Sequence, residues 1–373
     1  MTRQGTVSPR ISVVMSVFNA RRYVARAIGS ILDQTYREFE FLIINDGSTD
    51  GSEEVIRSYT DPRIRRFDHP NKGLAASLNR GILLSQGEYI ARMDADDIAL
   101  PTRLERQVRF LDEHPACVVV GTAAEVVGAD DELKFVMCHP AEDVHIRWAI
   151  LFDSPFVHST VMYRREAVIS VGLYNELGPA HVEDYEMWSR LAAQHRVANL
   201  AEPLLRYRDN PEGISHMMRA EQEVNALAVS ARNISMLLGE PFPVGRARAV
   251  RNLRLVAWPK PSLQEVRQAC LDIAAVQKAF EAKHAEHLGG RPHVWRAIRS
   301  EVARSDLAAA LFAGQLRARD AAFRYLCRAM RRGPSLAISH LLWRAIVMLI
   351  GGPDFFARIR KAVRAGCGMK PRG

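Results

Sequence analysis

Ile11 to Phe18, ISVVMSVF, is a β-branched and apolar run held between Pro9 and Asn19. A run that is apolar on both parities must bury both faces, which is the condition of a central strand in a parallel sheet. Val24, Ile28, Ile31 and Leu32 then recur on one helical face, predicting a helix over residues 21–34. Phe39 to Ile44 predicts a second strand. Strand, helix and strand in about 35 residues make a βαβ unit, so the chain is α/β and its sheet is parallel where it starts.

Ligands of open α/β sheets bind at the carboxyl ends of the strands. The second strand ends there in Asn45-Asp46-Gly47-Ser48-Thr49-Asp50-Gly51-Ser52. Asp-Gly signals a turn, and Ser48 to Ser52 can cap the next helix. Asp46 is either a nucleoside contact or a turn residue. No GxGxxG follows the first strand, which argues against an NAD-type dinucleotide site.

A third strand is predicted near Ile64 to Phe67, then a loop and a helix through Asn71 to Gly81. Leu74, Leu78 and Ile82 face the core, with Gly81 on a closely packed side. Lys72 and Arg80 are candidate phosphate or ribose contacts, although a lysine such as Lys72 is more often a solvated loop residue.

Tyr89 to Met93 predicts a short strand running into Asp94-Ala95-Asp96-Asp97. Three carboxylates in four residues repel one another. Asp94 and Asp96 are two apart, so on an extended chain they point the same way and can share one site. Hard oxygen ligands of this kind suit Mg²⁺ or Mn²⁺. The alternative is a solvated acidic turn; the βαβ unit upstream favours the cation.

Pro101 starts a helix through Glu113. Residues 117–127 predict one or two strands, Gly128 to Asp131 a hairpin turn, residues 142–151 a helix and residues 159–163 a strand. His158 reads as an acceptor or diphosphate contact, or as a hydrogen-bonded structural histidine. Glu183, Asp184 and Glu186 sit where a helix should begin. They either complement its dipole or include a general base. Residues 203–208 are strand-like, residues 217–238 a long helix, and Pro241 and Pro243 close a first domain, 1–240.

Charge separates the remainder. Residues 1–240 hold 26 Lys and Arg against 34 Asp and Glu, a balance of −8; residues 241–373 hold 25 against 8, a balance of +17. The second region, 241–373, reads as helical, with helices over residues 308–332 and 336–350 and a basic tip at Arg358 to Arg364 beside Phe355 and Phe356. Aliphatic and aromatic residues beside arginine suit an anionic membrane surface, or simply a solvated face. No nucleic-acid motif accompanies the charge, so nucleic acid is not an expected partner. The five scattered cysteines form no CxxC pair, which fits a reducing cytosol. MTRQGTVSPR lacks a signal peptide's apolar run, and Leu336 to Ile350 is too short and polar for a membrane span. The expected location is cytoplasmic, or peripheral on the inner face of the membrane.

Taken in order, Ser16-Val17-Phe18-Asn19, FLIINDGSTDGS, NKGLAASLNRG, GEYIARMDADD and VEDYEMW resemble a family 2 glycosyltransferase over about residues 11–215. The resemblance implies the GT-A (nucleotide-diphospho-sugar transferase) fold, a mixed central sheet flanked by helices, with 241–373 as a helical appendage. It implies a nucleotide-sugar donor, inversion at the anomeric carbon and a carbohydrate or lipid-linked acceptor. By the same resemblance Phe18 and Asn19 line the nucleoside pocket and Asp46 contacts the base. Asp94 contacts ribose or metal-bound water, Asp96 ligates the cation, Asp184 is the base and Glu183 its neighbour. Asp97 is then a supporting residue. Two departures stand out: Asn45 replaces the first of two acids before Gly-Ser, and Tyr207-Arg208 is followed by Asp209-Asn210 rather than the family's histidine, with His216 farther on.

Two other classes share some of these features. A sugar nucleotidyltransferase would carry a Gly-rich, Arg-containing loop after the first strand, and Val17 to Arg22 is not one. A non-catalytic sugar-nucleotide-binding or interaction protein would be expected to have lost an acid from one of the two pairs, and both are present.

Overall fold

The computed structural model describes residues 9–333 and 339–348. Contacts divide the chain into two compact units, Met1–Val229 and Ser230–Gly373.

The first unit runs β1 (Ile11–Val17), α1 (Val24–Leu32), β2 (Phe39–Asn45), α2 (Ser52–Arg57), β3 (Ile64–Asp68), α3 (Leu74–Leu84), β4 (Tyr89–Asp94), β5 (Ile98–Ala99), α4 (Arg103–Glu113), β6 (Cys117–Val127), β7 (Leu133–Met137), α5 (Asp143–Ala149), a 3-10 turn (His158–Thr160), β8 (Met162–Arg164), α6 (Arg165–Ser170), α7 (Glu183–Gln194), β9 (Arg196–Arg208) and α8 (Ile214–Met217), with α9 (Arg219–Leu238) crossing into the second unit. One mixed sheet has the order β3-β2-β1-β4-β8-β6-β9-β5, with β7 on β6. β1 lies between β2 and β4, parallel to both. Because side chains alternate, Val13, Met15 and Val17 pack into one core with α1 and α4, while Val14 packs into the other with α3 and α7. Both faces are covered, as the apolar run requires.

Close packing needs Gly81. A Cβ there would lie 2.4 Å from Val14 Cγ1 and 3.5 Å from Ile44 Cγ1, so α3 sits directly on β1 and β2.

Four local expectations change. Residues 159–163 are not one strand: His158–Thr160 turns first and only Met162–Arg164 pairs, antiparallel to both β4 and β6. The last strand starts at Arg196, well before Pro203. Its register against β6 slips so that Thr122 pairs Leu200 and Ala123 pairs Pro203. The bulge at Ala201 and Glu202 is what admits a proline inside a strand. The long helix expected from residue 217 is broken between Met217 and Arg219. In the second unit the helix expected over residues 308–332 is broken as well, at Leu316–Ala318, where Arg317 has φ 60°.

That second unit holds α10 (Val244–Leu255), α11 (Leu263–Gly289), α12 (Pro292–Gln315) and α13 (Arg319–Arg332). Ser262 and Glu265 form a capping box at the start of α11. Alanines 308, 309, 310 and 313 of α12 are buried, so its neighbours approach closely. Asp306, 3% exposed, accepts from Arg328 Nε at 2.7 Å and Arg332 Nη1 at 2.8 Å. Among the described residues no helix is long and apolar enough to cross a membrane. Cys117, Cys138, Cys270 and Cys327 are free thiols. The basic tip at Arg358 to Arg364 lies outside the described residues.

Candidate active site

Strand register assembles the site. Val17 is level with Asn45 and Ser16 with Asp94. Phe18 and Asn19, Asp46, and the Asp94–Asp97 turn therefore leave three neighbouring strands along one edge.

On one side, Asn19 adopts φ 48°, a left-handed conformation that asparagine tolerates better than most residues. Its N–H donates to Ser48 Oγ at 3.1 Å, and its side-chain oxygen accepts from Thr49 N–H at 2.9 Å. Ala20 N–H donates to Ser52 Oγ and Arg21 N–H to Asp50 Oδ2, both at 2.9 Å. The loops after β1 and β2 are thus fastened to each other. Phe18 stays 49% exposed at this edge, an aromatic face free to stack. Asp46 is 2% exposed, and its two oxygens accept from the backbone N–H groups of Lys72 at 2.7 Å and Gly73 at 3.0 Å. Lys72 meets Asp46 through its backbone, while its side chain is exposed. Arg80 donates to the Asp68 carbonyl at 2.9 Å.

At the end of β4, ligand atoms of Asp94, Asp96 and Asp97 lie within 4.8 Å of one another. Burial, and then the charge of Asp94, push the Asp96 carboxyl up to about 6. Asp97, 1% exposed, is pushed well above the usual range by burial and then by Asp96 and Asp94. Ser159 Oγ and Arg208 N–H donate to Asp97, the latter at 2.8 Å, so it serves the turn rather than the surface. Beneath lie two buried arginines. Arg92 donates to Asp94. Arg103, fully buried, donates Nη2 to the Arg92 carbonyl at 2.6 Å, and burial pulls it down to about 9. These cations offset part of the repulsion in front of them.

Glu183 and Asp184 open α7. Burial, and then Glu183, push Asp184 up to about 7; Glu183 is raised as well, by burial. Arg92 acts in the opposite direction on both, and Asp94 raises Glu183 further. The acidic pair therefore stands within electrostatic reach of the guanidinium that Asp94 engages. Trp188, fully buried one turn on, packs against Phe156 at 5.6 Å, His158 at 6.0 Å and Tyr163 at 6.1 Å between ring centroids. The structure places His158 in that aromatic packing, 2.8 Å from the Tyr174 hydroxyl, with burial and Arg92 pushing it well below the usual imidazole range. His216 lies 2.5 Å from Asp209 Oδ1, while the Asn210 amide reaches Asp96 Oδ2 at 3.5 Å. In this chain it is Asn210, and not His216, that stands at the acidic turn.

Sequence reasoning missed Arg92, Arg103, Ser159 and Arg208. Arg92 had a signal: it lies two residues before Asp94 on one strand, hence on the same side. Arg208 stands in the Tyr207-Arg208 pair that the resemblance singles out, but nothing local marks its contacts, nor Arg103 or Ser159.

Residues 12–172 match the family model "Glycosyl transferase family 2". EpsE of Bacillus subtilis, classed by its name among glycosyltransferases, is 34% identical over 59% of this chain and 81% of its own length. The O-antigen biosynthesis glycosyltransferase WbnJ of Escherichia coli is 32% identical over 53% of this chain and 79% of its own. S. aureus TarS 1-349, solved in complex with UDP-GlcNAc, superimposes with a TM-score of 0.51 at 18% identity, over 80% of this chain and 90% of that one. The mixed sheet with its helical flanks is thus the GT-A architecture, and the enzyme is a glycosyltransferase. The chain belongs to glycosyltransferase family 2.

Proposed function

We propose that the chain is an inverting glycosyltransferase whose general base is Asp184 and whose donor site runs from Phe18, Asn19, Asp46 and Lys72 to Asp94 and Asp96. One observation carries this reading: Asp184 is pushed up to about 7 while standing in the field of Arg92, which also holds Asp94. A carboxylate tuned near neutrality is what proton abstraction from a sugar hydroxyl requires. In the reaction the acceptor oxygen attacks the anomeric carbon, its proton passes to Asp184, and the bond to the diphosphate oxygen breaks with its electron pair leaving on the diphosphate. One displacement inverts the centre, so no carboxylate nucleophile is needed, unlike in a retaining glycosidase. Glu183 keeps Asp184 basic by repulsion.

The acidic turn fits a divalent cation, Mg²⁺ or Mn²⁺. Its donors are hard carboxylate oxygens, and burial and then the charge of Asp94 push Asp96 up. Asp96 and Asp94 would hold the ion, which when bound neutralises charge on the leaving diphosphate.

Relatives named for O-antigen and amylovoran biosynthesis support a carbohydrate or lipid-linked acceptor in cell-surface polysaccharide synthesis. Residues 1–240 would form the catalytic domain. The excess of 25 basic over 8 acidic residues in 241–373 supports contact with an anionic membrane surface from the cytoplasmic side.

The test is a panel of nucleotide sugars and acceptors with Mn²⁺, read by nucleoside diphosphate release and by the anomeric configuration of the product. Acceptor-dependent release with inversion is expected, lost in Asp184→Asn by about 10²–10⁴ with donor binding kept. Release of pyrophosphate instead would mean a nucleotidyltransferase. Normal turnover by Asp184→Asn would remove the assignment of the base.

A further inference from the structure

Arg208 ends β9, and its side chain is only 1% exposed. Its bonds converge from three directions. Nε donates to the Asp96 carbonyl at 2.9 Å, and its own N–H donates to Asp97 Oδ1 at 2.8 Å. Nη1 donates to the carbonyls of Gly128 at 3.0 Å and Ala129 at 3.1 Å, in the turn between β6 and β7. Nη2 donates to Asp131 Oδ1 at 2.6 Å, and the guanidinium lies 4.7 Å over the Tyr23 ring just before α1. Asp131 is shared: Arg26 of α1 donates to its other oxygen. Asp131 takes φ 63°, so the turn is held in a left-handed conformation while it accepts both arginines.

We propose that Arg208 is a positioning residue for the cation ligand Asp96, and that Asp131 is its anchor. A guanidinium is the group for this task. It is planar, always charged and offers five donors in a fixed fork, so one side chain can join two turns and a strand end. An ammonium keeps the charge but loses the fork. The chain Arg26–Asp131–Arg208–Asp96 also connects α1, which follows the loop of Phe18 and Asn19, to the acidic turn. The two ends of the donor site are thereby held in one frame by residues that do not themselves belong to the acidic cluster.

The inference rests on Asp96 as a cation ligand, and its test separates the two. The full chain, as wild type, Asp96→Ala, Asp131→Asn and Arg208→Lys, is titrated with Mn²⁺ in the presence of UDP, following the loss of the free-ion electron paramagnetic resonance signal. Metal-free thermal midpoints are recorded beside it. Partners of metal ligands typically carry 10–100-fold of affinity, so Asp131→Asn and Arg208→Lys should each weaken Mn²⁺ binding by about tenfold. Asp131, on a surface turn 23% exposed, should do so with little change in the metal-free midpoint. Unchanged Mn²⁺ affinity in folded Asp131→Asn and Arg208→Lys would overturn the positioning role while leaving Asp96 its ligand. Unchanged affinity in Asp96→Ala would instead remove the cation site itself, and this inference with it.

Discussion

The carboxylate of Asp46 accepts the backbone N–H of Lys72 at 2.7 Å, tying the end of β2 to the loop that follows β3. With the bond from Gly73 it holds the loop Asn71–Gly73 against the end of β2. Charge-assisted bonds of this kind contribute about 1.5–3 kcal/mol each when both partners are held. Asp46→Ala should therefore lower stability by about 2 kcal/mol or more in urea unfolding, and raise the donor KM by about tenfold or more with a smaller change in kcat. A donor KM that stays put would show the loop has no part in the donor site.

Asp184 gives a pH dependence with two opposite signs. As the proposed base it must be ionised, so kcat/KM should fall as pH drops through about 7. For stability, its carboxyl is raised in the folded chain, so between roughly pH 4 and pH 7 the folded state binds more protons than the unfolded one. Its contribution is fully present below the unfolded value and is lost as pH rises through about 7. Asp184→Asn should therefore be more stable than wild type at pH 8 and about equal to it at pH 4. Chemical denaturation at the two pH values measures this; a stability gain that is the same at both would exclude the ionisation as its cause.

Gly81→Ala would place a methyl 2.4 Å from Val14 Cγ1. Overpacking costs about 1–3 kcal/mol, and here α3 must lift from the sheet. The double variant Gly81→Ala with Val14→Ala should recover part of the loss, and a double-mutant cycle reads the coupling. Independent, additive effects would contradict the close approach.

Asp306 balances two arginines in the helical unit. Removing a buried partner costs about 3–5 kcal/mol, and partial exposure of the guanidiniums reduces that to roughly 2–3 kcal/mol. Asp306→Ala should lower the thermal midpoint of the full chain, and Arg332→Gln, which leaves Arg328 on Asp306, should lower it less. Equal shifts would show that the pair with Arg332 carries the whole effect.

The parallel core was legible because its information is local. The run from Ile11 to Val17, the helical spacing in α1 and the turn after Asn45 each declare themselves within a few residues. The placement of Asp94 and Asp46 along one edge followed from the rule that parallel strands end on the same side of a sheet. Arg208 was not legible, since its side-chain hydrogen-bond partners lie 77 to 112 residues away and no short pattern records them. Pro203 misled for a different reason: a proline argues against a strand interior unless a bulge lies beside it, and the bulge is a property of the pairing with β6. The break at Leu316–Ala318 was hidden too, because alanine, leucine and arginine are all strong helix formers and tertiary packing decided the matter.

Strands β1, β2, β3, β4, β6 and β9 all point the same way, because β8 is antiparallel to both β4 and β6. The molecule consequently has a working rim and a quiet one. The quiet rim is sealed by ion pairs and hydrogen bonds among Arg10, Glu88, Tyr89, Asp112 and Arg164 at the strand starts. The proposed donor site lies at the opposite rim, where Asp46 and Asp94 end their strands. A surface on which this catalyst is immobilised should grip the first unit by the side of Arg10 and Asp112, away from the strand ends that carry Asp46 and Asp94.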